Sequence, residues 1–149
     1  MAVVRDHPYA QFRFQVSLGD ADPTSVEAGF SEVSGLAAEI DMIEYRSGNS
    51  KSTTPTKIPG LTHYPDVILR RGIFGSLALW EWFEDVRLGS PEAARTVRIR
   101  LLGEDDEPVM SWTLLRARPV RHESGPFIGD ESDVAIEELV LAHEGLDIE

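Results

Sequence analysis

The chain contains no cysteine. Disulfides and thiolate metal sites are therefore excluded, which fits a reducing compartment. Lysine is almost missing as well: of 14 basic residues, only Lys51 and Lys57 are lysines. Cationic charge is scarce altogether, with 26 acidic residues and a net charge of −12. That deficit argues against simple wrapping of nucleic acid, which needs a basic footprint. No apolar run approaches the roughly 18 residues of a membrane span. The start, MAVVRDHPYAQF, lacks the apolar segment of a secretory signal.

Motifs for chemistry are missing too. His7, His63, His122 and His143 never stand four apart on a helix and never form HExxH. Ser31, Ser34 and Ser111 lack a GxSxG elbow; a Ser-His-Asp triad assembled by the fold stays open. The acidic run Glu104–Glu107 does not match calcium-loop spacing and reads as a solvated turn. There is no glycine-rich phosphate loop. The sequence predicts no cofactor, no metal and no enzyme.

What is present is alternation. The 149 residues suit one domain. Residues 1–9 read as an extended arm. Phe12, Phe14, Val16 and Leu18 alternate with polar residues, as in a half-buried strand. DADPTS is a turn cluster, VEAGFSEVSG a short second strand, and AAEIDMIEYR a third with a bulge expected between Met42 and Ile43. YPDVILRRG places Val67 and Leu69 on one face and Ile68 and Arg70 on the other. TVRIRLLG and PVMSWTLLRARPV form a pair around the turn EDDEP, HESGPFIGDESD is irregular, and VAIEELVLAHEG is a central strand with apolar residues on both faces. One helix is expected in GSLALWEWFEDVRLG, with Ser76 as N-cap and Gly89 just past its end. Its packing residues are Leu79, Trp80, Phe83 and Val86, with Trp82 the alternative to Phe83 on the stripe. The expected fold is mainly β, a sandwich or barrel of about six to seven strands with one flanking α-helix.

One stretch resists this pattern. Glu44–Gly72 begins and ends like a strand but holds a long Ser-, Thr-, Pro- and Gly-rich segment and both lysines. Such a loop inside a compact domain is uncommon and usually functional or disordered. Arg70 and Arg71 read as a solvated strand end or as acceptors for an acidic patch. Arg98, Arg100, Arg116 and Arg118 make a basic stripe. After Arg121 there are nine acids and no Lys or Arg. The stripe and the acidic last strand could meet within one chain or between chains.

In order, PYAQFRFQV, AGFSEVSGL, IEYRSGN, KIPGLTHY, VILRRGI, LWEWFEDV and VAIEELVLAHEGL resemble the tail-tube family of contractile phage tails and extracellular contractile injection systems. The resemblance implies two packed β-sheets with a flanking helix, in a single domain over 1–149 with an arm at 1–9 and a protruding loop or hairpin at 46–64. It implies six copies closing into a ring whose inner wall is a β-barrel, and rings stacking into a hollow tube within a sheath. Partners implied are further copies of itself, sheath subunits, baseplate and tube-terminating proteins, and cargo in the lumen. Such a protein would be made and assembled in a bacterial or archaeal cytoplasm. Glu44, Tyr45 and Arg46 match the strand entering the protruding loop, and Lys57, Gly60, Leu61 and Tyr64 its return. With Lys51 between them, and with Arg70, Arg71 and Gly72 of the strand before the helix, they are the expected subunit interface. Trp80 and Trp82 match the helix, and His143, Glu144 and Gly145 the C-terminal segment. A tube-initiator paralogue joining tube to baseplate is the close alternative. A small-ligand-binding β-barrel or hydrolase is the alternative of another class.

Overall fold

A computed structural model describes residues 2–19 and 29–149. The whole DADPTS turn and the start of the second expected strand lie outside the described residues. Among those described, nine strands and one helix follow in the order β1 (Phe14–Leu18), β2 (Glu32–Ser34), β3 (Glu39–Tyr45), β4 (Thr56–His63), β5 (Val67–Gly72), α1 (Ala78–Arg87), β6 (Arg95–Leu102), β7 (Pro108–Ser124), β8 (Ile136–Ala142) and β9 (Gly145–Ile148). The fold is mainly β with one helix, as expected, but the strand count exceeds six or seven. The surplus has two sources. The return of the anomalous stretch is the strand β4, and the final strand is split at His143 and Glu144 into β8 and β9.

Seven strands form one sheet in the order β1-β6-β7-β8-β5-β2, with β9 also on β7. β7 is 17 residues long and carries both halves. Residues between Pro108 and Ala117 pair with β6 and Trp112–Leu115 with β9, while Arg118–Ser124 pair with β8. The strand changes partners around Arg116, whose φ is +50°. Pro119 is tolerated in a central strand because the ladder slips between Pro119 and Arg121. HESG was expected to be irregular, yet its first three residues continue β7. β8 lies between β7 and β5, which explains its two apolar faces.

Alternate residues of both halves meet in one core: Val16 and Leu18, Val67 and Leu69, Val97 and Ile99, Leu114 and Ala117, Leu139 and Leu141, with Phe30, Leu79 and Trp82. The sheet therefore folds over on itself about β7. Phe12 falls outside this core and is exposed, since β1 begins only at Phe14. The β3 irregularity falls between Ile40 and Met42, one step earlier than the alternation predicted.

The helix closes the core with a residue the pattern underrated. Leu79 and Trp82 are buried, while Trp80 is 42% exposed. The indole N–H of Trp82 donates to Ala93 O at 2.6 Å, and the Arg95 guanidinium lies 4.7 Å from its ring centre. Val86 is half-buried against the core. Trp80 and Phe83 instead stack on each other outside it, with ring centres 5.6 Å apart. Ser76, the expected N-cap, sits one position before the observed cap, Leu77, and its hydroxyl accepts from the Ala78 N–H. Gly89, at φ +80°, follows the last turn as predicted.

Charge is neutralised within the chain more than the sequence suggested. Arg71 is not a solvated end: it points into the core, fully buried, and donates to Glu137 on the neighbouring strand. His122 approaches the same carboxylate at 3.2 Å. On the opposite face, Arg70 bonds Glu138 at 2.9 Å and reaches Glu32 at 3.4 Å, and Arg121 bonds Glu138 at 3.0 Å. Arg116 pairs with Glu144. The acidic last strand thus serves arginines of its own chain. Of the basic stripe, only Arg116 is paired: Arg98, Arg100 and Arg118 make no ion pair among the described residues.

The arm at 2–9 is tied to the β6–β7 turn. Val3 N–H donates to Val109 O at 2.8 Å. Arg5 forks onto both oxygens of Glu104, at 2.9 and 2.7 Å, and stacks over Tyr9. The bonds from Arg5 hold the Glu104 carboxyl below its ordinary range.

Three outcomes follow. Trp82→Ala lowers unfolding free energy by roughly 3–5 kcal/mol, whereas Trp80→Ala costs about 1 kcal/mol; urea melts separate them. Glu137→Ala removes a charged partner of the buried Arg71 guanidinium and costs roughly 3–5 kcal/mol, while Glu123→Ala stays within about 0.5 kcal/mol. Because the folded state depresses the Glu104 pKa, its tethering of the arm persists above the ordinary carboxylate range. That tether is lost as pH falls through the depressed value. Exchange protection of the Val3 amide therefore drops on acidification below the ordinary carboxylate range, and Glu104→Gln removes the pH dependence.

Candidate assembly interface

The anomalous stretch is a hairpin. β3 and β4 pair antiparallel as a two-stranded sheet separate from the main one. It starts at Glu39 rather than at the expected 46, and its arms are 7 and 8 residues long. At about 3.3 Å per residue it projects on the order of 23 Å. Nearly every strand residue is exposed. Ile43 lies opposite Ile58, and Tyr45 opposite Thr56. These alternate positions share one face and make it apolar. Glu44 lies opposite Lys57 on the other face, next to Met42 and Pro59.

Local chemistry holds this shape. Gly60 lets the strands approach closely where β3 bulges: a Cβ there would come 3.2 Å from Asp41 O and 3.3 Å from Ile43 Cγ1, so its neighbours would have to give by a few tenths of an ångström. His63 meets Asp41 at 2.6 Å across the base. The connection 46–55 is folded rather than loose. Arg46 donates to the carbonyls of Ser52 at 2.8 Å and Ser50 at 3.2 Å, and Thr54 N–H donates to Ser52 Oγ at 3.1 Å. Lys51 projects from this connection, exposed.

The expected interface residues therefore separate into groups. Glu44, Tyr45, Arg46, Lys51, Lys57, Gly60 and Leu61 lie on the hairpin, and Leu61 is 74% exposed. Tyr64 lies at its root, half-buried, with its ring 5.5 Å from that of His143. Arg70, Arg71 and Gly72 lie in the main sheet, and Arg71 is internal to the chain. A second exposed apolar cluster, unforeseen in the sequence, includes Phe74, Phe127, Ile128 and Val134. Its signal was available: two adjacent large apolar residues, Phe127 and Ile128, inside an otherwise polar loop.

Among the described residues β1 and β2 are the edges of the main sheet, and β9 has a partner on one side only. Their outer backbone groups are ready to pair with another chain. Among the described residues no three metal-ligating side chains gather, and no helix is long and apolar enough to cross a membrane.

The profile of the family described as T4-like virus tail tube protein gp19 matches residues 10–147. No curated protein sequence matches the chain. Among solved structures, a chain of the sheath-tube complex of an extracellular contractile injection system, PVC, in its extended state is 30% identical. It superposes with a TM-score of 0.83 over 97% of this chain and 93% of that one. A chain of the PVC sheath/tube terminator is 29% identical with a TM-score of 0.85, over 98% and 99%. Hcp1 from Flavobacterium johnsoniae, at 12% identity and a TM-score of 0.54 over 91% and 93%, shares the fold. The profile spans nearly the whole sequence, and the chain therefore belongs to the T4-like virus tail tube protein family as a structural tube subunit.

Proposed function

We propose that this chain builds the inner tube of a contractile injection particle, as one tail-tube-like domain that acts by assembly and not by catalysis. The observation that carries this reading is the hairpin. A lone two-stranded hairpin is marginally stable in water. One with Ile43, Tyr45 and Ile58 uncovered on a face is suited to burial against another chain.

Ring closure supplies the rest of the logic. Sheet edges left open are an aggregation hazard, and a heterologous contact whose rotation closes pairs them all. Six copies per ring, with the rings stacked, give the hollow tube. Hairpin residues Glu44, Tyr45, Arg46, Lys51, Lys57, Gly60 and Leu61 face the next ring, and Tyr64 steadies the hairpin's root. Arg70 and Gly72 lie nearer the joints within a ring. The likeness to chains of a sheath-tube complex and a terminator supports sheath subunits and end-binding proteins as partners; the proposed tube meets a baseplate at its other end. Assembly in the cytoplasm before release is the matching location.

Electron microscopy of the purified protein tests this. Stacked six-membered rings are expected, whereas a monomer at every concentration in sizing and sedimentation would overturn it. A single ring seen only at the baseplate end of the particle would reassign the chain as tube initiator. Deleting Ser47–Pro55 leaves the melting temperature within a few degrees, since the segment contributes nothing to the core. The deletion is expected to abolish tubes while rings persist.

A further inference from the structure

The hairpin and the second apolar cluster sit at opposite ends of the same strands. β5 leaves the hairpin at Val67, paired with Leu141, and ends at Gly72, paired with Ile136. Between those ends lie about 20 Å of strand. At the far end, the segment Gly125–Ala135 joins β7 to β8 and lines a pocket of about 470 Å³ together with Ile136. Ile73 N–H donates to Ala135 O at 2.9 Å, which brings exposed Phe74 to the same end. Nothing from the hairpin lines this pocket.

The two ends are complementary in charge. The segment 125–135 carries Asp130, Glu131 and Asp133 and no Lys or Arg. None of the three makes an ion pair among the described residues. The hairpin tip from 44 to 57 carries Arg46, Lys51 and Lys57 against Glu44 alone. It therefore holds the chain's only two lysines, neither of them in an ion pair among the described residues. Each end also pairs its charge with exposed apolar side chains: Tyr45 and Ile58 at one, Phe127, Ile128 and Val134 at the other. Lying at opposite ends, they are placed to meet between two copies rather than within one.

We infer that the pocket formed by Gly125–Ile136 is the receptor for the hairpin tip of a second copy. Lys51 and Lys57 face Asp130, Glu131 and Asp133, and the apolar face of the hairpin covers Phe127, Ile128 and Val134. The contact is heterologous and head to tail, with the long-range part of its attraction screened by salt. This rests on the tube reading and names the surface that its ring-to-ring contact uses.

Two measurements decide it. The chain has no cysteine of its own, so Lys51→Cys protein mixed with Glu131→Cys protein has no competing thiol. Under mild oxidation the pair is expected to give a disulfide-linked heterodimer, while a Lys51→Cys with Gln15→Cys mixture gives none. In the second measurement, Lys51→Glu/Lys57→Glu and Asp130→Lys/Glu131→Lys/Asp133→Lys each lower stacked tubes about tenfold at 0.15 M salt. Rings persist in both, and a chain carrying all five changes regains stacking. Absence of the cross-link, or stacking indifferent to either reversal, overturns the receptor assignment even where wild-type rings and tubes form. Cysteine variants that cross-link at these positions, with wild-type protein that never closes a ring, uphold the contact and overturn the tube reading instead.

Discussion

The backbone of β7 is the constraint on which the rest depends. One strand of 17 residues must satisfy donors and acceptors along its whole length. It does so by changing neighbours: β6 and β9 on its first half, β8 on its second. Arg116 takes a left-handed conformation where the change occurs. A single continuous strand then belongs to both layers, and the layers cannot be assembled independently. Leu114 and Ala117, on either side of the turn, are both fully buried. The helix meets the same strand through its Trp82 side, which seals the core where β7 turns.

Charge is divided between two tasks. Inside the chain, acids of β8 take up arginines from both neighbours: Glu137 holds Arg71, and Glu138 holds Arg70 and Arg121. A buried pair of this kind adds little net stability against an apolar substitute, because desolvation offsets the attraction. It does fix register, since a one-residue slip of β5 on β8 would bury a lone charge. Arg5, Arg13, Arg87 and Arg116 pair with Glu104, Asp106, Glu84 and Glu144 nearer the surface. Lys51 and Lys57 of the hairpin, with no ion pair among the described residues, are placed to act between molecules.

The alternation of Val97 with Ile99 and of Val67 with Leu69 made the strands legible, because a strand with one buried face writes its period into the sequence. β8 was legible as a central strand for the complementary reason, with apolar residues on both faces. The hairpin was only half legible. Its β4 strand contains Pro59 and Gly60, both poor strand residues, and it buries nothing in its own chain, so neither propensity nor burial marked it. The choice between Trp80 and Trp82 needed the helix's phase to better than one residue, which a ten-residue helix does not supply. The burial of Arg71 was hidden because its partner Glu137 lies 66 positions away. The cluster of Phe127 and Ile128 was overlooked because its segment has no periodicity at all.

The separation of hairpin and pocket along β5 also gives the subunit a direction. A molecule with a projection at one end and a recess at the other adds copies in one orientation only. Whatever length such a series reaches, it is left with two chemically unlike termini: bare, lysine-tipped projections at one and empty, acidic recesses at the other. The repeating unit therefore carries no instruction to stop. Length has to be measured by something else, and the two termini call for different caps.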